Sequence, residues 1–130
     1  ERWYGFDDGL YAAARLLEIL AASPEDADEV FDALPKSVST PEIKVQVAEG
    51  EQYTFIEKFV AQSRFEGARI STIDGVRADW SDGWGLVRAS NTTPVLVLRF
   101  DAKDNEALAR IKATFRQQLL SVDPSLSLSF

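Results

Sequence analysis

Between Arg69 and Phe100 the sequence sets four short apolar segments in a row with very little chain between them. Arg69 to Ile73, Val76 to Trp80, Trp84 to Ala89 and Val95 to Phe100 are separated only by Asp74-Gly75, Ser81-Asp82-Gly83 and Ser90-Asn91-Thr92-Thr93-Pro94. A parallel pairing needs a crossover of a dozen or more residues, so consecutive segments joined this closely must run antiparallel. Asp74-Gly75 predicts a two-residue hairpin. Val95 to Phe100 has few polar breaks and is expected to be a central strand covered on at least one face.

The rest of the chain supplies the cover. Ile43, Val45 and Val47 alternate with Lys44 and Gln46, as in a half-buried strand. Residues 51–64 return to helical spacing, with Phe55, Ile56, Phe59 and Val60 as the apolar stripe and Gly67 ending the unit. Over 104–121, Leu108, Ile111, Phe115, Leu119 and Val122 recur at three and four, while Lys103, Glu106, Arg110, Lys112, Arg116 and Gln117 take the wet side. In the tail Pro124 to Phe130, Leu126, Leu128 and Phe130 alternate with serines and predict a short terminal strand. The fold class is α+β: a mostly antiparallel four- to five-stranded sheet with two helices on one face.

Residues 7–22 predict a helix with Asp7 or Asp8 as N-cap and Gly9 in its first turn. It is apolar on nearly every side and expects burial on more than one. Ser23 is read as the cap of a second, short helix over 25–34, with Pro24 at its first position. Pro35 to Pro41 is a linker by composition, which divides the chain into a helical segment 1–35 and an α+β domain 36–130. The net charge of −7 lies wholly in 1–35, where nine acids face two bases; 36–130 holds twelve of each sign. Acidity therefore does not argue against phosphate binding by the second part.

No stripe of basic and aromatic residues is present, so nucleic acid is not an expected partner. No apolar run approaches the length of a membrane span, and no signal-peptide pattern opens the chain. Cys is absent, which excludes disulfides and zinc-thiolate sites and fits a reducing cytoplasm. His is absent too, removing the commonest general base and metal ligand. With no Met, and with Glu1-Arg2-Trp3-Tyr4 at its start, the chain reads as a piece of a longer protein. Helix 7–22 then belongs to a preceding domain, or its apolar face serves self-association.

The densest chemistry is the turn after Ala89. Arg88 supplies a charged fork of N–H donors, and Ser90, Asn91, Thr92 and Thr93 crowd hydrogen-bonding side chains into four positions before Pro94. Such a turn can surround a small anion. It can equally be a hairpin loop whose side chains satisfy their own backbone. Asp7-Asp8 and Asp79 with Asp82 are read as a cap and a turn rather than metal ligands, since no D-x-D-x-D spacing accompanies them. Arg77 either approaches the loop or faces solvent. Trp80 and Trp84 either stack on a sugar or pack across strands in the core. The acids of 25–32 form a solvated helix face.

The stretch DGVRADWSDGWGLVRASNTTPVLVLRFDA resembles the C-terminal domain of bacterial phosphomannomutase/phosphoglucomutase, in the α-D-phosphohexomutase family. The opening ERWYGFDDGLYAAARLLEIL is similar to the end of that family's third domain. The resemblance implies that Arg88, Ser90, Asn91 and Thr92 contact the substrate phosphate that is not being transferred, with Thr93 and Pro94 supporting the loop. It implies a cytoplasmic parent enzyme that interconverts hexose 1-phosphate and 6-phosphate of glucose or mannose, using Mg2+ and glucose 1,6-bisphosphate. The family's phosphoserine, magnesium and sugar-recognition loops all lie upstream of Glu1. This chain is therefore expected to hold no metal or cofactor, to contribute no catalytic residue and to be inactive alone. Its partners would be a phosphosugar and the upstream domains. The alternative is a free-standing, non-catalytic phosphate- or protein-binding module.

Overall fold

The computed structural model describes Trp3–Phe130; Glu1 and Arg2, which open the acidic segment, lie outside the described residues. The chain divides into two compact units, one ending at Lys36 and one comprising Ser37–Phe130. Among the described residues no helix is long and apolar enough to cross a membrane.

The first unit holds two helices, α1 (Gly9–Ala22) and α2 (Ala27–Asp32). Asp8 is the N-cap of α1, its carboxylate accepting from the backbone N–H of Tyr11 at 2.9 Å. Trp3 stacks on Tyr11 with ring centroids 4.3 Å apart. No residue of α1 is buried: Leu10, Leu16, Leu17 and Ile19 are all exposed. The expected cap of the second helix is displaced. Asp26, not Ser23, opens α2, in a reciprocal capping box with Glu29. Ser23 instead closes α1, its N–H reaching back to the carbonyls of Ile19 and Leu20.

The second unit is α+β. Its six strands are β1 (Val38–Ser39), β2 (Ile43–Gln46), β3 (Arg69–Ser71), β4 (Val76–Trp80), β5 (Gly83–Ala89) and β6 (Val95–Ala102). Every pairing is antiparallel, in the order β1-β6-β5-β4-β3, with β2 following β1 along the same edge of β6. Two helices, α3 (Glu51–Gln62) and α4 (Asn105–Val122), pack on one face of the sheet and on each other. Asp104 caps α4 through the N–H of Ala107 at 2.8 Å.

The structure departs from the sequence pattern in three places. The sheet has six strands rather than four or five, because β1 forms inside the stretch read as a linker, where Val38 and Ser39 pair with Ala102 and Asp101. The tail forms no strand: Leu126, Leu128 and Phe130 pack against the core by their side chains, while Arg116 Nη1 donates to the carbonyls of Leu128 and Phe130. The β3–β4 connection is not a two-residue hairpin but the four residues Thr72–Gly75.

The core lies between the sheet and its helices. Phe59, Phe100, Phe115, Leu96, Leu98, Ile111 and Leu119 are fully buried. Phe115 sits at the centre, 4.6 Å from Phe65 and 5.4 Å from Phe100 between ring centroids. Strand alternation sends Leu96, Leu98 and Phe100 of β6, and Val87 and Ala89 of β5, to this side. The intervening residues Arg88, Val97, Arg99 and Asp101 therefore share the face that α3 and α4 leave uncovered.

Candidate functional site

The turn between β5 and β6 is anchored on both sides. The N–H of Ser90 donates to the carbonyl of Val95 at 3.0 Å, and the N–H of Val47, just past β2, donates to the carbonyl of Pro94 at 3.1 Å. The N–H of Val95 closes a tighter ring onto the carbonyl of Thr93 at 2.8 Å. Between these anchors the Ser90 hydroxyl, which is buried, accepts from the N–H groups of Thr92 and Thr93, each at 3.3 Å, and pairs with the Thr93 hydroxyl at 3.0 Å. Two backbone N–H dipoles thus point to the inside of one turn. The side chains of Asn91 and Thr92 are exposed and stand outside these bonds.

Arg88 stands at the end of β5, one residue before the strand stops. Its side chain is one-third exposed. Nη1 makes a long contact of 3.4 Å to the carbonyl of Ala89 and lies 3.9 Å from a carboxylate oxygen of Asp74. Its cross-strand partner is Val97, whose own partner on the far side is Lys44. Lys44 therefore falls in the same row on the same face, 3.6 Å from Glu42. The fold brings Arg88, Ser90, Asn91, Thr92, Thr93 and Pro94 together at one end of β5 and β6, with Asp74 beside Arg88 and Lys44 two strands away in the same row.

Arg77 occupies the same face but is committed elsewhere. Its Nε and Nη2 donate to Asp79 at 3.0 and 2.8 Å, and its guanidinium carbon lies 4.0 Å over the Trp84 ring. The hydrogen bond from Arg77 holds the Asp79 carboxyl below its ordinary range, assisted by the charges of Arg77 and Arg69 against the opposing effect of burial. Arg77 is thus neither a member of the turn nor free in solvent. Trp80 and Trp84 do not pair across strands: Trp80 faces the core with its ring edge-on to Phe65 and Phe115, whereas Trp84 lies under Arg77 on the other face. Asp82 is bound to Arg110 at 2.6 Å. Among the described residues no group of three or more His, Cys, Asp or Glu comes together that could hold a metal ion.

Residues 42–118, which contain the whole turn, match the family described as phosphoglucomutase/phosphomannomutase, C-terminal domain. This chain belongs to the phosphoglucomutase/phosphomannomutase family. It is 55% identical over 130 residues to a phosphomannomutase/phosphoglucomutase of Pseudomonas aeruginosa, covering all of this chain and 28% of that protein. A phosphoglucomutase of Neisseria gonorrhoeae is 56% identical over 118 residues, covering 89% of this chain and 25% of that protein. In the crystal structure of a phosphoglucomutase/phosphomannomutase family protein from Burkholderia thailandensis, 27% of the chain superposes on 99% of this one, with a TM-score of 0.85 and 49% identity. The chain thus spans little more than a quarter of the length of these family members.

Two residues on the side of Arg88 escaped sequence reasoning. Asp74 was legible only as a turn former, and its approach to Arg88 depends on how the β3–β4 connection folds back on β5. Lys44 was legible as the polar side of a strand, but nothing in its own neighbourhood names β6 as that strand's partner.

Proposed function

We propose that this chain is the C-terminal part of a phosphohexomutase that interconverts hexose 1-phosphate and 6-phosphate of glucose or mannose. On this reading, residues 1–35 end the third domain and 36–130 form the fourth, with Mg2+ and glucose 1,6-bisphosphate serving the parent enzyme. The residues present do not fit a magnesium site, because no carboxylate cluster exists among those described.

The task of the chain is to hold the phosphate that is not transferred. Arg88 supplies charge and paired donors, and Ser90, Asn91 and Thr92 supply side-chain hydrogen bonds, while the Thr92 and Thr93 N–H groups are held by the Ser90 hydroxyl. Thr93 and Pro94 keep the turn in shape. Fixing one phosphate fixes the distance and angle of the rest of the sugar, and positioning is most of what phosphoryl transfer asks of a protein. The observation that carries the reading is the weakly engaged Arg88 guanidinium beside a turn whose Asn91 and Thr92 side chains are exposed and outside its internal hydrogen bonds.

Titration of the 15N-labelled chain with glucose 1-phosphate tests it. Amides of Arg88 to Thr93 should shift, and Arg88→Ala should abolish the response. No shift at millimolar phosphosugar would favour the rival reading, a non-catalytic module that binds a protein. The exposed leucines of α1 favour a second contact on either reading. In the parent it is covered by the preceding domain, and in the isolated chain by another copy, which sedimentation at rising concentration would reveal.

A further inference from the structure

The β3–β4 connection is pressed onto β5 beside Arg88. At Gly75 φ is +75°, a left-handed conformation that favours glycine. A Cβ built there would lie 2.0 Å from the Val87 carbonyl oxygen, 2.7 Å from Arg88 Cα and 2.9 Å from Arg88 Cβ. Only a residue without a side chain permits this approach. The contact puts the neighbouring Asp74 within 3.9 Å of the Arg88 guanidinium. That is too long for a hydrogen bond but close enough for charge to act.

The two arginines of this face contrast. Arg77 is locked by hydrogen bonds to Asp79 and by its stack on Trp84. Arg88 has one long hydrogen bond and an unlocked ion pair with a carboxylate that is 70% exposed. An anion entering the turn must take Arg88 from Asp74 and must also approach the negative charge of Asp74.

We propose that Asp74 is a tethered competitor for Arg88, a carboxylate held by the Gly75 contact so that its charge faces the guanidinium when the turn is empty and weakens phosphate binding when the turn fills. The inference rests on the reading of the turn as a phosphate clamp and adds a residue that tunes it. Its value to a positioning site is turnover: a clamp whose charge is partly offset when empty releases its ligand more readily. An exposed pair of this kind is worth up to about 1 kcal/mol, so its removal tightens binding by up to about fivefold.

The test titrates the 15N-labelled 130-residue chain with inorganic phosphate at neutral pH and low salt, following the amides of Arg88 to Thr93. Asp74→Asn should lower the phosphate Kd by about two- to fivefold. Glu57→Gln, the same change of charge on an exposed position of α3, should leave it unchanged. The gain should fade at about 1 M salt, where the screening length is about 3 Å. An unchanged or weaker affinity in Asp74→Asn would overturn the inference, the weaker result meaning that Asp74 orients Arg88 rather than competing for it. Retained amide positions along β6 would show that the variant is folded. If the unaltered chain gives no phosphate response, the clamp itself fails and this inference with it. A response that ignores Asp74 removes only the competitor.

Discussion

Gly85 is where a ring of α4 comes against the backbone of β5, and Gly85→Ala measures that contact. A Cβ there would lie 2.4 Å from Phe115 Cε2, 2.8 Å from Phe115 Cδ2 and 3.0 Å from Phe100 Cδ1, against about 3.5–4.0 Å for an ordinary carbon contact. Neither ring has room to retreat. Phe115 and Phe100 are both fully buried, and Phe115 is backed by Phe65 and Phe59. Forcing one methyl group into such a core costs about 1–3 kcal/mol. With both rings fully buried the cost falls in the upper half of that range, about 2–3 kcal/mol. Loss of the glycine's freedom in the unfolded chain returns about 0.4–1 kcal/mol, leaving a net destabilisation of about 1–2.6 kcal/mol. Urea unfolding followed by tryptophan fluorescence is the assay, because Trp80 lies edge-on to Phe115 and reports the same cluster. The melting temperature should fall by about 4–8 °C for each kcal/mol. Phe115→Leu removes the ring atoms the methyl would strike, so in that background Gly85→Ala should cost at least about 1 kcal/mol less. A loss below about 0.5 kcal/mol for Gly85→Ala, or additivity of the two changes within about 0.5 kcal/mol, would refute the claim that α4 is seated on β5 through this glycine.

Asp79 makes part of the stability depend on acid. Its folded-state pKa lies below the ordinary 3.8, so the contribution is present at neutral pH and is lost as the pH falls below about 4. Asp79→Asn should cost up to about 1 kcal/mol near neutrality, and acid-unfolding curves of variant and parent should converge at the bottom of the range. Gly75→Ala should destabilise by more than about 1 kcal/mol, since it combines backbone strain with a steric clash; the loss of phosphate response at Arg88 by NMR would accompany it. Ser90→Ala leaves the Thr92 and Thr93 N–H groups without their acceptor, and hydrogen exchange at those two amides should rise while that of β6 stays unchanged.

The parts of the fold legible in the sequence are those decided by side-chain period alone. Leu108, Ile111, Phe115 and Leu119 announce α4 because each turn of a helix must present the same face to the core. Strands β4 to β6 are announced by short turns that permit only antiparallel return. Where a tertiary partner decides, sequence reading fails in either direction. Val38 and Ser39 make a strand only because the far end of β6 offers unpaired backbone at Ala102 and Asp101. Leu126, Leu128 and Phe130 alternate like a strand yet pair with none, since their periodicity serves side-chain burial and Arg116 takes the tail's carbonyls. Asp74-Gly75 carries the signature of a two-residue turn, but Gly75 uses its freedom to approach β5 rather than to reverse the chain.

The same distinction governs the site. Arg88 through Pro94 are contiguous, so their chemistry survives any error in the fold around them. Asp74 reaches that turn through the fold of the β3–β4 connection and Lys44 joins the row of Arg88 through strand pairing, and Lys44 shows how strictly. Ile43 and Val45 of β2 oppose Leu98 and Leu96, which places Lys44 opposite Val97 and in the row of Arg88. A slip of one residue would expose Val45, now buried, and drive the Lys44 ammonium toward the fully buried Leu96 and Leu98. Burying an unpaired charge is far more costly than any gain such a slip could offer. The hydrophobic core therefore sets the register, and the register puts the Lys44 ammonium on the same face as Arg88.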